Sequence, residues 1–245
     1  MSELIKTEAI VLRKLDYGDS SRIIHLFTEE FGKLTAIVKG ARSSKSKYGL
    51  SLDTINYVQI IFYKKDTRDV QLIKEADLIN HFTVVKENLD RIQCASSIIE
   101  LISNLTVEHE VHKKLFTGTV KALELMNNPE KDPKLIFAKY FLFFIREIGY
   151  ALSYDACSVC GRPIHSDENV AFNYDSGIVC KECKSDRLVH VELNKELFNL
   201  FICLNLKKND IKYDQKSLGK IIQLIEKFLK YNLQEFKGIK SLELI

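Results

Sequence analysis

The chain has no tryptophan and contains few residues that interrupt regular structure, with 3 prolines and 10 glycines among 245 residues. Such low numbers argue against long disordered linkers. Long apolar runs are also absent. The longest, Tyr140–Ile145, is far below the roughly 20 residues that span a bilayer. The first residues include Glu3 and Lys6 and have no apolar core like that of a signal peptide. We therefore expect a soluble, cytoplasmic protein without a membrane segment.

The chain also has little net charge: 36 basic and 33 acidic residues leave a formal charge of +3. That value alone is too neutral for a protein that holds nucleic acid electrostatically. The charges are unevenly distributed, however. Residues 31–52 contain five basic residues and no acid, and residues 207–240 contain nine lysines and four acids. Each stretch sums to +5, so the sequence predicts a mildly acidic scaffold that carries two basic surfaces.

The first third of the chain is predicted to form five short strands, because it is rich in β-branched and aromatic residues and is divided by turn signals. A small closed barrel or a meander fits this pattern. A five-stranded barrel of the oligonucleotide-binding (OB) type is one candidate, although strand count alone does not single it out. The predicted strands are Ile5–Leu12, Arg22–Thr28, Lys33–Lys39, Ile55–Tyr63 and Val70–Leu78.

After about residue 79 the apolar period becomes helical. A helix is expected from Leu89 to Ile102, and further helices follow it. Gly149 is a plausible C-terminal stop and Asn194 a plausible N-cap. We also expect residues 108–112 to lie on a solvated helix face. The remaining predicted helices are Val111–Met126, Pro133–Gly149, Lys195–Leu206 and Leu218–Leu229.

Four cysteines carry the most specific motif in the sequence. Cys157 and Cys160 form one CxxC pair, Cys180 and Cys183 form another, and 19 residues lie between the pairs. This spacing is typical of a zinc site. Two intervening residues let both sulfurs of a pair reach one ion at about 2.3 Å, and two pairs complete a tetrahedron. Four cysteines would leave no open coordination position, so the predicted zinc is structural.

Two other interpretations of the cysteines and histidines are weaker. A redox pair is disfavoured because two CxxC units occur at metal-site spacing, while Cys94 and Cys203 lie among apolar residues and are expected to be buried thiols. His109 and His112 are only three residues apart and do not form the HExxH pattern of a metalloprotease. The sequence also has no Walker A loop, GxSxG elbow or GxGxxG turn, which weakens the case for an enzyme.

The first basic stretch is a candidate nucleic-acid site. Its glycines and serines allow close approach to phosphates, its basic side chains neutralise them, and Tyr48 offers a ring for base stacking. A solvated loop whose charges only aid solubility is an equally weighted alternative. For the lysines of 207–240, a solvated helix face is favoured over a second nucleic-acid contact or a site for an acidic peptide tail. The candidate DNA-binding residues are Arg13, Arg22, Lys33, Lys39, Arg42, Lys45, Lys47 and Tyr48.

In three ordered stretches the chain resembles the RecO family of bacterial recombination mediators. Residues 7–20 resemble the opening strand and turn of the family. Residues 26–42, with Phe31-Gly32-Lys33 and the basic run that ends at Arg42, resemble its next hairpin and basic loop. Residues 141–150, followed by the two CxxC pairs, resemble its helix and zinc insert. Each motif alone is modestly specific, whereas their order along nearly the whole chain is strongly so.

The resemblance implies an α+β, multi-domain protein: an N-terminal OB-fold at 1–79, a helical domain in two parts at 80–154 and 188–245, and a zinc-binding insert at 155–187. It implies binding of single- and double-stranded DNA and annealing of complementary strands, without enzymatic activity. RecR, the C-terminal tail of single-strand-binding protein and RecA are implied partners, with RecF a further candidate. Arg13, Lys39 and Arg42 fall on the matching basic positions. Two rival functions are a protein-interaction adaptor that binds no DNA and a hydrolase or nuclease with an unfamiliar motif.

Overall fold

The computed structural model describes residues 3–43, 46, 48–186, 188–206, 208 and 210–242. The chain divides into two compact units, Met1–Pro133 with Ser241–Ile245, and Lys134–Lys240. The four-part division expected from the sequence stays a prediction, because compactness does not show which parts fold independently.

The first unit contains a five-stranded barrel. The strands close in the order β1-β2-β3-β5-β4. Neighbouring strands are antiparallel except β3 and β5, which are parallel. This arrangement confirms the OB-type barrel that the sequence predicts. Its strands are β1 (Glu3–Tyr17), β2 (Ser21–Thr28), β3 (Gly32–Val38), β4 (Tyr57–Lys64) and β5 (Val70–Asn80).

The barrel closes because β1 is long enough to pair with two neighbours. Ala9 of β1 lies opposite Thr28 of β2 and Val58 of β4. A bulge between Val11 and Arg13 shifts the register of β1 against β2, and such bulges bend a strand and increase its twist. Alternate residues of each strand point inward and build one apolar core. The outer face of the barrel carries both polar side chains and exposed apolar ones such as Leu4, Leu78 and Ile79.

Three helices follow in the first unit: α1 (Thr83–Lys86), α2 (Leu89–Leu105) and α3 (Lys113–Met126). The side chain of Asn88 caps α2 by accepting a hydrogen bond from the Arg91 backbone. The expected helix face at 108–112 is wrong. Glu108 instead forms a β-bridge with Lys33, and His109 adopts a positive φ of 64°. The predicted helix at 111 therefore begins two residues later, because the preceding segment pairs with a strand of the barrel.

The second unit combines helices with a small sheet. The long helices are α4 (Pro133–Glu147), α5 (Lys195–Asn205) and α6 (Gln215–Asn232). Three strands, ordered β7-β6-β8, form the sheet: β6 (Val170–Asn173), β7 (Gly177–Val179) and β8 (Val191–Leu193). Short 3₁₀ turns occur at Lys184–Asp186 here and at Lys240–Leu242 near the C-terminus.

The predicted helix signals in this unit are confirmed. Gly149 follows α4 with a φ of 92°, and the N–H of Tyr150 bonds the Ile145 carbonyl at 2.7 Å, as in a Schellman stop. The side chain of Asn194 caps α5. Helix α6 buries an apolar stripe that includes Leu218 and Ile225 and exposes lysines on the opposite side. Within the described residues, no helix has both the length and the apolar character needed to cross a membrane.

Candidate metal centre and nucleic-acid interface

The four cysteines that the sequence singles out come together in the second unit. The sulfur atoms of Cys157, Cys160, Cys180 and Cys183 all lie within 4.8 Å of one another, and those of Cys160 and Cys180 are 3.9 Å apart. In a tetrahedron with metal–sulfur bonds of about 2.3 Å, neighbouring sulfurs lie about 3.8 Å apart. The cluster therefore has the dimensions and the donor chemistry of a closed, four-coordinate metal site.

Backbone hydrogen bonds place the first CxxC pair against the small sheet. Gly161, with a φ of 73°, donates its N–H to the Cys157 carbonyl at 2.9 Å. Ser158 donates its N–H to the carbonyl of Ile178 at 2.8 Å, and Ile178 lies on β7. Cys180 follows β7 directly. The hairpin of β6 and β7 therefore returns the chain so that sulfurs 20 residues apart in sequence meet.

The local field favours one thiolate among the four sulfurs. Burial opposes ionisation of Cys157, but N–H groups of Cys160, Cys180 and Val159 outweigh it and lower the pKa of this thiol to about 6. The side chains of Cys160 and Cys180, together with burial, raise the pKa of Cys183 to about 12. Because a metal ion requires deprotonated thiols, its binding would release protons from the cluster.

Arg162 links the two CxxC pairs and is a residue that sequence reasoning missed. Its guanidinium lies 2.8 Å from the Glu168 carboxylate and 3.2 Å from that of Glu182. Glu182 lies inside the second pair, whereas Glu168 also accepts the backbone N–H of His165 at 2.8 Å. The only signal for Arg162 in the sequence is its position immediately after the first CxxC pair and Gly161. The ion pairs hold the loop of the first pair to that of the second.

Among the candidate DNA-binding residues, the structure brings Arg22 and Arg42 together around Asp16. Arg22 donates from Nε to one oxygen of Asp16 at 3.0 Å, and Nε of Arg42 lies 3.4 Å from the other. Arg42 also donates to the Gly18 carbonyl at 2.8 Å. The hydrogen bond from Arg22 is the largest effect that lowers the pKa of Asp16 below its usual 3.8. The ionised carboxylate of Asp16 therefore lies between two guanidinium groups.

Two further basic candidates lie on the same three-stranded part of the barrel. Arg13 follows the β1 bulge and is exposed. Lys39 directly follows β3 and is also exposed. The strands β1, β2 and β3 are adjacent, and the four basic candidates that lie on them or in the turn after β3 are hereafter called the barrel basic group: Arg13, Arg22, Lys39 and Arg42.

Lys33 and Tyr48 are placed differently. Lys33 donates from Nζ to the Ser103 carbonyl of α2 at 2.8 Å, and burial lowers the pKa of its ammonium group. Tyr48 packs its ring against the barrel core and donates its hydroxyl to the Lys74 carbonyl at 2.7 Å. Both side chains hold elements of the first unit together and lie outside the barrel basic group. Lys45 and Lys47, which are also candidates, lie outside the described residues.

Sequence reasoning also missed the acidic partners of this region. In the sequence, Asp16 is distinguished only by its place in the opening strand and turn at residues 7–20. Asp53 lies 2.5 Å from Nζ of Lys14 and 3.2 Å from Nζ of Lys86. Burial raises the pKa of Asp53, but its bonds to these two lysines outweigh that effect and lower it. The only sequence signal for Asp53 is that it is the first acid after the acid-free stretch 31–52.

Comparisons with known proteins agree with the resemblance found in the sequence. The family model described as "Recombination protein O N terminal" matches residues 1–82, which include the whole barrel. The model described as "Recombination protein O C terminal" matches residues 86–243 and therefore the four-cysteine cluster.

Individual relatives support the same assignment. The chain is 37% identical over 161 residues to the DNA repair protein RecO of Chlorobium limicola, a match that covers 66% of this chain and 62% of that protein. It is 27% identical over 250 residues to the RecO protein of Chloroherpeton thalassium, covering 98% of this chain and 96% of that protein. For the RecO protein of Caldanaerobacter subterraneus, the identity is 29% over 242 residues, with 96% and 95% covered. The two family models together span nearly the whole sequence, and the chain belongs to the RecO family.

Proposed function

We propose that the protein is a non-enzymatic mediator of DNA repair and homologous recombination that binds single- and double-stranded DNA and anneals complementary strands. Family membership and the DNA-repair names of the relatives support this role. The observation that carries the DNA-binding part is the barrel basic group, in which Asp16 holds Arg22 and Arg42 side by side.

DNA would be held mainly through its phosphates. Guanidinium and ammonium groups neutralise the backbone without reading base edges, so binding should depend little on sequence. Arg22 uses Nε for Asp16, which leaves its two terminal nitrogens to donate elsewhere. Four phosphate contacts to a single strand correspond to a log–log salt slope of about −0.7 per contact, or about −2.8 in total.

Annealing requires more than tight binding, because two negatively charged strands must approach each other. A protein with two basic surfaces can neutralise both strands at once. The exposed lysines of α6 form a second basic surface in addition to the barrel basic group. We therefore include the C-terminal lysines in the proposed annealing role.

The metal of the second unit is proposed to be one structural zinc ion held by Cys157, Cys160, Cys180 and Cys183. The sulfur cluster suits the ion, and four protein ligands leave no position for a substrate. Zinc would stabilise the fold of the insert, by an amount on the order of 10 kcal/mol. The residues Arg162 and Glu182 would keep the two CxxC pairs in register.

The proposed partners follow from the family resemblance. They are RecR, the C-terminal tail of single-strand-binding protein, and RecA, which the protein would help to load onto coated DNA; RecF is a further candidate. The proposed location is the bacterial cytoplasm, in association with the nucleoid. The rival proposal is a zinc-containing adaptor that binds other proteins but no DNA.

Charge reversal in the barrel basic group tests the DNA-binding proposal. We expect Lys39→Glu combined with Arg42→Glu to weaken binding of mixed-sequence single-stranded DNA by at least about tenfold and to flatten its salt dependence. The matched control, Lys114→Glu with Lys121→Glu, makes the same change in net charge on exposed positions of α3 and should bind almost normally. Equal losses in both double variants would show that only net charge matters, and no binding by the unaltered chain would favour the adaptor.

Annealing is tested with complementary strands coated with single-strand-binding protein. We expect the unaltered chain to accelerate duplex formation and to leave strand length unchanged with and without Mg²⁺. Shortened strands would instead support the nuclease alternative.

A further inference from the structure

Three aromatic side chains meet at one edge of the small sheet in the second unit. The rings of Tyr174 and His190 are stacked, with centroids 4.4 Å apart and an interplanar angle of 27°. The ring of Tyr231, at the end of α6, lies 5.9 Å from Tyr174 and 5.5 Å from His190. Tyr231 is 52% exposed. The cluster therefore leaves the ring of Tyr231 half exposed to solvent, while Tyr174 and His190 are partly buried beneath it.

Backbone and core contacts hold this aromatic cluster in place. The N–H of Tyr174 donates to Nδ1 of His190 at 3.1 Å, and the side-chain amide of Asn232 donates to the Tyr174 carbonyl at 2.8 Å. Below it, the buried ring of Phe172 packs edge-on against Tyr174 and Phe228. Because the rings are fixed before any ligand arrives, a ligand that stacks on them would lose little affinity to ordering of the protein.

A groove with two lysines lies beside this aromatic cluster and along α6. It has a volume of about 270 Å³; Val191, Leu193, Leu197 and Leu224 form its apolar floor, and Tyr174, Lys220 and Lys227 also line it. Tyr231 follows Lys227 by one helical turn and lies next to this lining. Glu192, which also lines it, forms an ion pair with Lys184. Lys216, Lys220 and Lys227 are exposed, and none of them pairs with an acidic side chain that the structure describes. The helical rise of 1.5 Å per residue places Lys220 and Lys227 about 10 Å apart along the axis.

We propose that this groove binds a single-stranded segment of nucleic acid, with an unpaired base stacked on Tyr231 and phosphates contacting Lys220 and Lys227. The proposal rests on the DNA-binding role proposed above and adds a second strand contact, in the other unit. An exposed ring beside two lysines matches the two components of sequence-independent single-strand binding, a stacking platform and a positive groove. A base paired in a duplex has no free face to stack, so the site would select unpaired strands.

An acidic peptide is the main competing occupant, because lysines also attract carboxylates. The aromatic cluster favours nucleic acid, since a peptide of acidic residues would leave the exposed ring of Tyr231 unused. An adjoining groove of about 720 Å³, which shares Lys220, also carries Glu196 and Asp214. Together with Glu192 they balance the three lysines of that groove, Lys181, Lys184 and Lys220, so it offers a polyanion no net positive charge and the favourable end is the aromatic side.

Stacking can be observed directly because the chain has no tryptophan. Tyr231→Trp in the full chain introduces a single indole on the aromatic cluster. We expect a dT oligomer to quench its fluorescence, whereas an abasic oligomer of the same length and charge should quench it at least about threefold less. Leu206→Trp, at an exposed position outside both grooves, should not be quenched by either. Equal quenching by the two oligomers would overturn the stacking proposal.

Affinity measurements separate the ring from the charges. Tyr231→Ala should weaken binding to the dT oligomer about 5- to 150-fold, which corresponds to the about 1–3 kcal/mol measured for base–aromatic stacking, whereas Tyr231→Phe should bind normally. Lys220→Gln with Lys227→Gln should reduce the log–log salt slope by about 1.4. If an acidic peptide binds the unaltered chain and loses affinity in Lys220→Gln with Lys227→Gln, while the oligomer loses none, the proposal is overturned in favour of a peptide site.

The two DNA-binding proposals fail in different ways. If Tyr231→Ala and the lysine variant bind like the unaltered chain, while Lys39→Glu with Arg42→Glu loses binding, the groove proposal is wrong and the barrel proposal stands. If the unaltered chain binds no oligomer, both are wrong. Far-ultraviolet circular dichroism of each variant shows whether it is folded, and the Tyr231→Phe variant supplies a test that does not depend on loss of binding.

Discussion

Gly32, at the start of β3, lies directly against the backbone of Glu110: a Cβ added to Gly32 would lie 2.0 Å from the Glu110 carbonyl oxygen. The same segment donates the N–H of His109 to the Lys33 carbonyl at 3.2 Å. The turn between β2 and β3 is thus fastened to the connection between α2 and α3. This close approach explains why the connection does not continue as helix, since its backbone pairs with the barrel.

Gly32→Ala should destabilise the protein strongly. Its φ of 64° alone costs an L-residue about 1–2 kcal/mol, and the clash with Glu110 should add about 1–3 kcal/mol more. Gly40→Ala is the matched control, because Gly40 has a φ of 67° with nothing within 4 Å of the added Cβ. Urea denaturation measures how much each variant loses in free energy of unfolding. Equal losses in the two variants would show that Gly32 is required only for its positive φ.

Arg91 is a buried guanidinium that closes the end of α3. Its two terminal nitrogens donate to four backbone carbonyls, at distances of 2.6–2.9 Å, those of Met126, Asn128, Pro129 and Lys131. Arg91→Ala should lower the free energy of unfolding by about 2–3 kcal/mol, because the buried Met126 carbonyl and three carbonyls of the following turn lose a charged donor. Arg91→Lys should recover only part of this, since an ammonium group lacks the planar fork. Thermal melts of Arg91→Ala and Arg91→Lys measure these losses of stability. If Arg91→Lys were as stable as the unaltered chain, the planar fork of the guanidinium would not be required.

Loss of a single cluster cysteine should abolish metal binding. We expect purified protein to contain about one equivalent of zinc and Cys160→Ser to contain less than about half of one, because three sulfurs bind zinc less tightly than four. Cys203→Ser is the control, since this buried cysteine belongs to α5, outside the four-cysteine cluster, and its sulfur hydrogen-bonds Asn199 at 3.8 Å. Elemental analysis under reducing conditions measures the metal. Zinc retained by Cys160→Ser at the level of Cys203→Ser would exclude the proposed ligand set.

Asp16→Asn should increase DNA affinity. The amide oxygen can still accept from Arg22, while the negative charge beside two guanidinium groups is removed. The attraction between exposed charges is weak in water and is screened by salt, so we expect DNA binding to be tighter by up to about fivefold at low salt and unchanged at high salt. Filter-binding titrations at several salt concentrations measure the DNA affinity of the variant. Weaker DNA binding by Asp16→Asn would show that the charge of Asp16 is needed to hold the two arginines.

The pH dependence of stability has a definite sign at the same residue. The pKa of Asp16 is lowered in the folded protein, so its contribution is complete above the unfolded value of about 3.9 and is lost as the pH falls through the folded value. The difference in unfolding free energy between the unaltered chain and Asp16→Asn should be constant from about pH 5 to 8 and should shrink only below about pH 4. If this difference in unfolding free energy changed between about pH 6 and 8, Asp16 would have to interact with another group that titrates in that range.

The barrel and the cysteine cluster could be predicted because both depend on local sequence. Strand patterning predicts four of the strands to within two residues of their observed bounds, whereas β1 continues five residues beyond the predicted end at Leu12. The two CxxC pairs identify the sulfurs that meet. The prediction for 108–112 was wrong because its determinant is distant: the segment pairs with Lys33, some 75 residues earlier. A helical pattern in a short window does not reveal such a competing partner.

The sequence by itself determined the order of elements, the pairs of cysteines and the two basic stretches, because each of these depends on residues that are close together in the chain. Tertiary structure alone decided how the basic side chains are used. It joined Arg22 and Arg42 through Asp16, turned Lys33 toward a helix carbonyl, and placed Tyr231 beside Tyr174 and His190. The physical reason is that charge and aromatic character are properties of a residue, whereas the partner that neutralises or covers it is brought there by the fold.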